Sequence, residues 1–168
     1  VDISTGSVGL GVAMTSFLSL TQDYIRKKKF NKYLNKGKMI ALVGDAELDE
    51  GNIYECLQEG WKHDLRNVWW IIDYNRQSLD GVVHEGLWEK IDSVFKSFGW
   101  NVVVIKYGEL QLNAFNEPGG EKLKEWIDNC PNQLYSALIF EGGKAIKERI
   151  LDDIGDQGNI SKLLDSRA

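Results

Sequence analysis

Apolar positions at Leu10, Met14, Phe17, Leu18, Leu20, Tyr24 and Ile25 recur at three- and four-residue steps, which predicts an amphipathic helix within Val8 to Phe30. Ser7 is the expected N-cap. Asn31 to Gly37 reads as a loop. Met39-Ile40-Ala41-Leu42-Val43 is a short unbroken apolar run, the pattern of a strand buried on both faces, and Gly44-Asp45 ends it. Asp49 and Glu50 then place negative charge at the start of a second helix, where the dipole favours it, running to about Gly60 or Trp61. Val68-Trp69-Trp70-Ile71-Ile72 repeats the buried-strand pattern and closes with Asp73-Tyr74-Asn75. Trp88 to Phe98 reads as helix with Gly99 as its stop, and Val102-Val103-Val104-Ile105 as a third strand.

The order strand, helix, strand, loop, helix, strand predicts an α/β fold: a parallel sheet flanked by helices, joined by right-handed crossovers. Beyond Tyr107 the pattern weakens. Glu121 to Cys130 reads as a helix stopped by Pro131, Leu134 to Phe140 fits helical spacing better than strand, and Ala145 to Ile154 is helical. A mainly helical C-terminal stretch over 107–168 is therefore expected, with the whole of 1–168 taken as one domain.

Composition narrows the function classes. The 168 residues suffice for a core, and 43% hydrophobic with 27% charged is ordinary for a globular chain. No run of about 18 apolar residues is long enough to span a membrane. The net charge of −5 gives no electrostatic support for nucleic-acid binding. The basic cluster Arg26-Lys27-Lys28-Lys29 falls where a helix C-terminus favours cations. Cys56 and Cys130 form no CxxC, so a structural zinc site is not indicated and a reducing, cytoplasmic setting is. Cys56 falls among apolar helix positions and reads as packing. The start at Val1, with Ser4-Thr5-Gly6-Ser7 almost at once, and the plain end Asp165-Ser166-Arg167-Ala168 suggest part of a larger protein.

Ligands of an open parallel sheet sit beyond the carboxyl ends of its strands. Asp45 and Asn75 stand thirty positions apart at two such ends. One crossover brings them to the same edge. A carboxylate and an amide oxygen together suit a hard cation such as magnesium, which fills its remaining positions with phosphate and water. Asp45 and Asn75 supply two ligands, and the main-chain carbonyl of Gln77 is the choice for a third. Gly44 and the N–H groups that follow it are placed to cradle phosphate oxygens. The plainer alternative is that Asp45 and Asn75 merely cap a helix and a turn.

Three segments bear on that choice. Gly44-Asp45-x with Asn75 about thirty residues on resembles the thiamine diphosphate signature. Ser4-Thr5-Gly6-Ser7-Val8-Gly9-Leu10-Gly11 resembles the glycine-rich segment that opens the diphosphate-binding domain of the transketolase superfamily. Gly44-Asp45-Ala46-Glu47-Leu48-Asp49-Glu50 and Asn75-Arg76-Gln77-Ser78-Leu79-Asp80-Gly81 look like matching stretches of the homodimeric pyruvate dehydrogenase E1 component. The likeness covers Ser4 to Ile105.

It implies a thiamine diphosphate-binding fold, with Asp45, Asn75 and the Gln77 carbonyl on magnesium. Gly44, Ala46 and Glu47 would line the diphosphate, and Gly6, Ser7 and Val8 would pass close to the thiamine. Ala46 departs from the family's usual glycine. The family's activating glutamate lies on a second domain, usually that of a partner subunit, so a homodimer is implied. The substrate implied is a 2-oxo acid or a ketose. Transketolases usually carry an apolar residue at Gln77, which leans towards E1, with a transketolase or ketose-phosphate relative as the alternative. A stand-alone, non-catalytic cofactor-binding module is the alternative of another class. A nucleotide binder lacks support, since no Walker-type Gly-Lys-Ser/Thr occurs. His63 reads as surface or packing, and His84 as a residue near the site mouth. Neither has a general-base partner in sequence, so no catalytic residue is assigned. The six tryptophans read as core and interface.

Overall fold

The computed structural model describes residues 3–30, 37–78, 81–156 and 160–165. Residues 31–36 of the loop expected over Asn31 to Gly37, the Leu79-Asp80 part of the expected turn, and the terminal Ser166-Arg167-Ala168 lie outside them. Two compact units are present, Val1–Val102 and Val103–Ala168.

The first unit is α/β. Helix α1 (Leu10–Lys27) precedes strand β1 (Met39–Gly44), and a 3-10 turn (Asp45–Asp49) leads into α2 (Gly51–Lys62). Strand β2 (Val68–Asp73) and helix α3 (Leu87–Ser97) follow. β1 and β2 are parallel neighbours in the register Met39↔Val68 to Gly44↔Asp73. Period-2 side-chain alternation then gives the sheet two unlike faces. Ala41, Val43, Trp70 and Ile72 pack with Val12 of α1, Ile53 and Leu57 of α2, and Phe95 of α3. Ile40, Leu42, Trp69 and Ile71 on the other face are exposed, so the strands are not buried on both faces as their unbroken apolar runs predict.

Polar side chains fix α1 to the sheet. Ser19 Oγ bonds to Asn67 Oδ1, Asn67 Nδ2 donates to Gln22 Oε1 at 2.5 Å, and Trp70 Nε1 donates to Thr15 Oγ1 at 3.2 Å. Ser19 and Gln22 are buried, so this network satisfies groups that would otherwise cost about 1–3 kcal/mol each. Trp70, Phe95 and Trp100 form an aromatic cluster, with Trp70 and Trp100 centroids 4.7 Å apart. The tryptophans divide: these two pack in the core, whereas Trp61, Trp69 and Trp88 are exposed.

Three expectations are corrected. Val102–Ile105 is not a strand. It pairs with no described strand, and of its residues Val102 packs on the core while Val103, Val104 and Ile105 are exposed. A β-branched run expresses a preference for extended backbone, but a strand needs a neighbouring edge. Ser7 does not cap α1. Gly9 does, in the left-handed region at φ 76°, where glycine carries no Cβ penalty. Finally, α2 does not begin at Asp49. The 3-10 turn intervenes, and Glu50 is the N-cap.

The second unit is helical: α4 (Glu109–Phe115), α5 (Gly120–Asn129), α6 (Asn132–Glu141), α7 (Gly143–Ile154) and α8 (Ile160–Asp165). Ala114, Leu123, Ile150 and Ile160 form its core. α4 falls where the sequence pattern weakened. The helical reading of Leu134 to Phe140 holds. Among the described residues no helix is long and apolar enough to cross a membrane.

Candidate functional site

The site lies at the carboxyl end of the two strands. Val43 and Leu48 are buried on either side of the turn, which drives Asp45 inward to 5% exposure. An isolated buried carboxylate is costly, and backbone donors offset part of that cost here. Asp45 Oδ1 accepts from Ala46 N–H at 3.0 Å. Its Oδ2 accepts from Arg76 N–H at 2.8 Å and Gln77 N–H at 3.2 Å. Arg76 has φ 66°, unusual for a residue with a side chain, and this aims two successive N–H groups at one oxygen.

Asn75 arrives by the β2 strand end. Its Oδ1 accepts the same Gln77 N–H at 3.0 Å, two residues on, which is the turn-capping contact that the plainer alternative expects of Asn75. The structure thus brings Asp45 and Asn75 together, as the thirty-residue spacing predicts, with the N–H of Gln77 between them. Gln77 also bridges antiparallel to Val82, which holds the start of the following loop.

The Asp45 carboxyl is pushed above its ordinary value by burial, and the N–H groups of Gln77, Arg76 and Ala46 pull the other way. Burial wins. A divalent cation at these oxygens would favour the ionised form more strongly than the neutral amides do. Among the described residues no three His, Cys, Asp or Glu side chains are grouped for a metal. A cation here would rest on one carboxylate plus amide and carbonyl oxygens, the donor set magnesium prefers.

The glycines differ in what surrounds them. A Cβ at Gly6 or Gly44 would meet nothing within 4 Å, so packing within the chain does not require glycine there. Space beside those two backbones is what a bound diphosphate cofactor needs. Gly6, Ser7 and Val8 are exposed at the start of α1.

Glu47 has a role that spacing did not reveal. Its Oε2 accepts from Gly9 N–H at 3.0 Å and its Oε1 from Gly44 N–H at 3.3 Å. The contact with Gly9 spans 38 residues and carries no local sequence signature.

Residues 1–117 match the family described as "Transketolase, thiamine diphosphate binding domain". The chain belongs to that family. Its relatives include the pyruvate dehydrogenase E1 component of Corynebacterium glutamicum, 25% identical over 98% of this chain and 18% of the relative. The pyruvate dehydrogenase E1 component of Buchnera aphidicola is 31% identical over 86% of the chain and 16% of the relative. A transketolase of Staphylococcus aureus is 31% identical over 64% of the chain and 17% of the relative. The chain therefore spans less than a fifth of the length of these relatives. In this thiamine diphosphate-binding domain the matched residues take in the whole strand-end site.

His63 is on the surface, 3.4 Å from Glu59 Oε2. His84 lines an open cleft of about 410 Å³ with Ser78, Val82 and Lys90, beyond the Gln77–Val82 bridge. Cys56 is buried, and burial raises its thiol pKa, which leaves it unreactive packing.

Proposed function

We propose that this domain binds the diphosphate of thiamine diphosphate through magnesium, as part of a pyruvate (2-oxo acid) dehydrogenase E1-like enzyme. The convergence of Asp45 Oδ2 and Asn75 Oδ1 on one backbone N–H carries the reading. Asp45, Asn75 and the carbonyl of Gln77 would hold the metal. Gly44, Ala46 and Glu47 border the diphosphate, and Gly6, Ser7 and Val8 the thiamine. When bound, the cofactor supplies the stabilisation of a carbanion formed from the substrate. The residues of this chain bind and orient it. The Arg76 and Gln77 N–H groups hold the Asp45 carboxylate in place, and the bare backbones of Gly6 and Gly44 let the ligand approach. An activating glutamate from a second domain or subunit, and a homodimeric assembly, belong to the same proposal.

The E1 branch is favoured by the relative matched over 98% of the chain. A transketolase-type reaction on a ketose phosphate is the second reading, supported by the 31% identity to a transketolase over 64% of the chain. Titration of the intact protein with thiamine diphosphate, with and without magnesium, tests the site. Binding should require the metal and be lost in Asp45→Ala; unchanged affinity in that variant sinks the assignment. Turnover of pyruvate with an artificial electron acceptor, against turnover of a ketose phosphate, separates the branches. Binding without either turnover favours the non-catalytic module.

A further inference from the structure

We infer that Glu47 is a positioning residue: its carboxylate clamps the Gly6–Gly9 segment to the end of β1 and does not contact the diphosphate. The inference rests on the proposed placement of the diphosphate beyond β1.

A carboxylate is an unexpected neighbour for a diphosphate, because like charges repel. The hydrogen bonds resolve this. Each Glu47 oxygen takes a backbone donor, Oε2 from Gly9 and Oε1 from Gly44. The charge therefore satisfies two amides and joins two stretches of chain. One is the start of α1, where the Gly9 carbonyl accepts Ala13 N–H at 3.1 Å. The other is the last residue of β1.

Gly9 has no room to retreat. It is buried, at φ 76°, and a Cβ on it would lie 2.6 Å from Asn52 Oδ1 and 2.9 Å from Glu50 Cβ. Its backbone is seated against the start of α2, and the clamp sets its distance from β1. The exposed Gly6-Ser7-Val8 stretch hangs directly on this seated residue. Because the Gly9 and Gly44 amides are spent on Glu47, Gly44 serves the cofactor through its missing Cβ and not through its N–H.

Glu47→Gln in the intact protein tests the clamp. Glutamine keeps the shape but turns an N–H₂ towards one of the two amides. Backbone hydrogen exchange is measured without cofactor. Exchange at Gly9 and Gly44 should quicken by about tenfold, the scale of one lost charge-assisted hydrogen bond. Exchange at Arg76 and Gln77, which face Asp45, should not change and reports that the fold is intact. Thiamine diphosphate with magnesium should then bind about tenfold more weakly. Unchanged exchange at Gly9 and Gly44 overturns the clamp. Quickened exchange with equal or tighter cofactor binding overturns its positioning role, since it would make Glu47 a competitor for phosphate donors. Asp45→Ala separates the two proposals: it should abolish cofactor binding and leave Gly9 and Gly44 exchange as in the wild type. If the wild type binds no thiamine diphosphate, the functional proposal fails, and the exchange comparison still decides the clamp.

Discussion

Asp45 and Asn75 accept the same N–H, that of Gln77, at 3.2 and 3.0 Å. Asp45 Oδ2 takes Arg76 N–H as well, so the acceptor capacity left for a cation lies on Asp45 Oδ1 and Asn75 Oδ1. Asp45→Asn keeps an oxygen for the Arg76 and Gln77 donors and removes a charge whose burial is unfavourable, but turns an N–H₂ towards Ala46 N–H. These effects oppose each other, so the apo variant should stay folded and unfold within a few degrees of the wild type near pH 7. The stabilisation that thiamine diphosphate and magnesium give the wild type should be absent from it. Thermal unfolding with and without the ligands measures both. A cofactor-dependent rise in the variant equal to that of the wild type would count against Asp45 as a ligand.

The same carboxyl sets a pH dependence. Its folded-state pKa is raised, so the folded state holds the proton more tightly than the unfolded chain does. The stabilisation is full below the unfolded value of about 4 and is lost as pH rises through the folded value. Magnesium needs the ionised form. Its affinity should fall as pH drops through the raised pKa, and binding near that pH should release a proton. Calorimetric titrations in buffers of different ionisation enthalpy detect that proton. No proton release, with affinity flat across the window, contradicts the assignment.

Gly44→Ala separates packing from ligand contact. Gly44 has φ −72° and ψ 147°, which alanine adopts without strain, and its Cβ would meet nothing within 4 Å. Stability without cofactor should change by less than about 0.5 kcal/mol. Affinity for thiamine diphosphate should fall, because the methyl group would fill space left for the ligand. Equal affinity for wild type and variant would place the diphosphate elsewhere.

The parts legible in the sequence are those with a local cause. The two strands follow from unbroken apolar runs, although only one face of each is buried, and the meeting of Asp45 with Asn75 follows from one crossover of thirty residues. The parts not legible depend on distant partners. Val103 and Val104 have strand chemistry, yet they form no ladder with any described strand. Glu47 finds Gly9 across 38 residues. Gly9 stands in place of Ser7 as the cap of α1, and its N–H goes to that distant carboxylate. The weak pattern after Tyr107 has a physical origin too: α4 is seven residues long, with only Ala114 buried.

Gly60 and Trp100 test the core of the first unit. A Cβ at Gly60 would lie 2.8 Å from Trp100 Cζ2. The indole cannot yield cheaply, since its Nε1 donates to the Leu57 carbonyl at 3.2 Å and its ring packs on Trp70 and Phe95. Helix propensity alone favours alanine by about 1 kcal/mol. The clash should outweigh it, so Gly60→Ala is expected to destabilise by about 1–3 kcal/mol in denaturant melts. A stabilised variant would mean that the aromatic cluster repacks freely.

In the second unit Tyr107 is the test of a charged network. Its hydroxyl donates to Asp128 Oδ1, where Lys106 Nζ also lies 2.6 Å away, and Lys124 Nζ is 3.0 Å from Oδ2. Burial alone would raise the Asp128 pKa. The Lys106, Tyr107 and Lys124 donors outweigh it and hold the carboxyl well below the usual carboxylate range. Stabilisation from a depressed carboxyl is present above the unfolded value of about 4 and is lost as pH falls towards the folded one. Tyr107→Phe removes one donor and keeps the edge-to-face contact with Phe115, whose centroid lies 5.0 Å away. It should cost about 1 kcal/mol at pH 7. The cost should shrink in acid, because the variant has less depressed-carboxyl stabilisation to lose. Urea melts of both proteins at pH 7 and near pH 3 make the comparison. A penalty that stays constant between the two would assign the tyrosine's contribution to ring packing and not to Asp128.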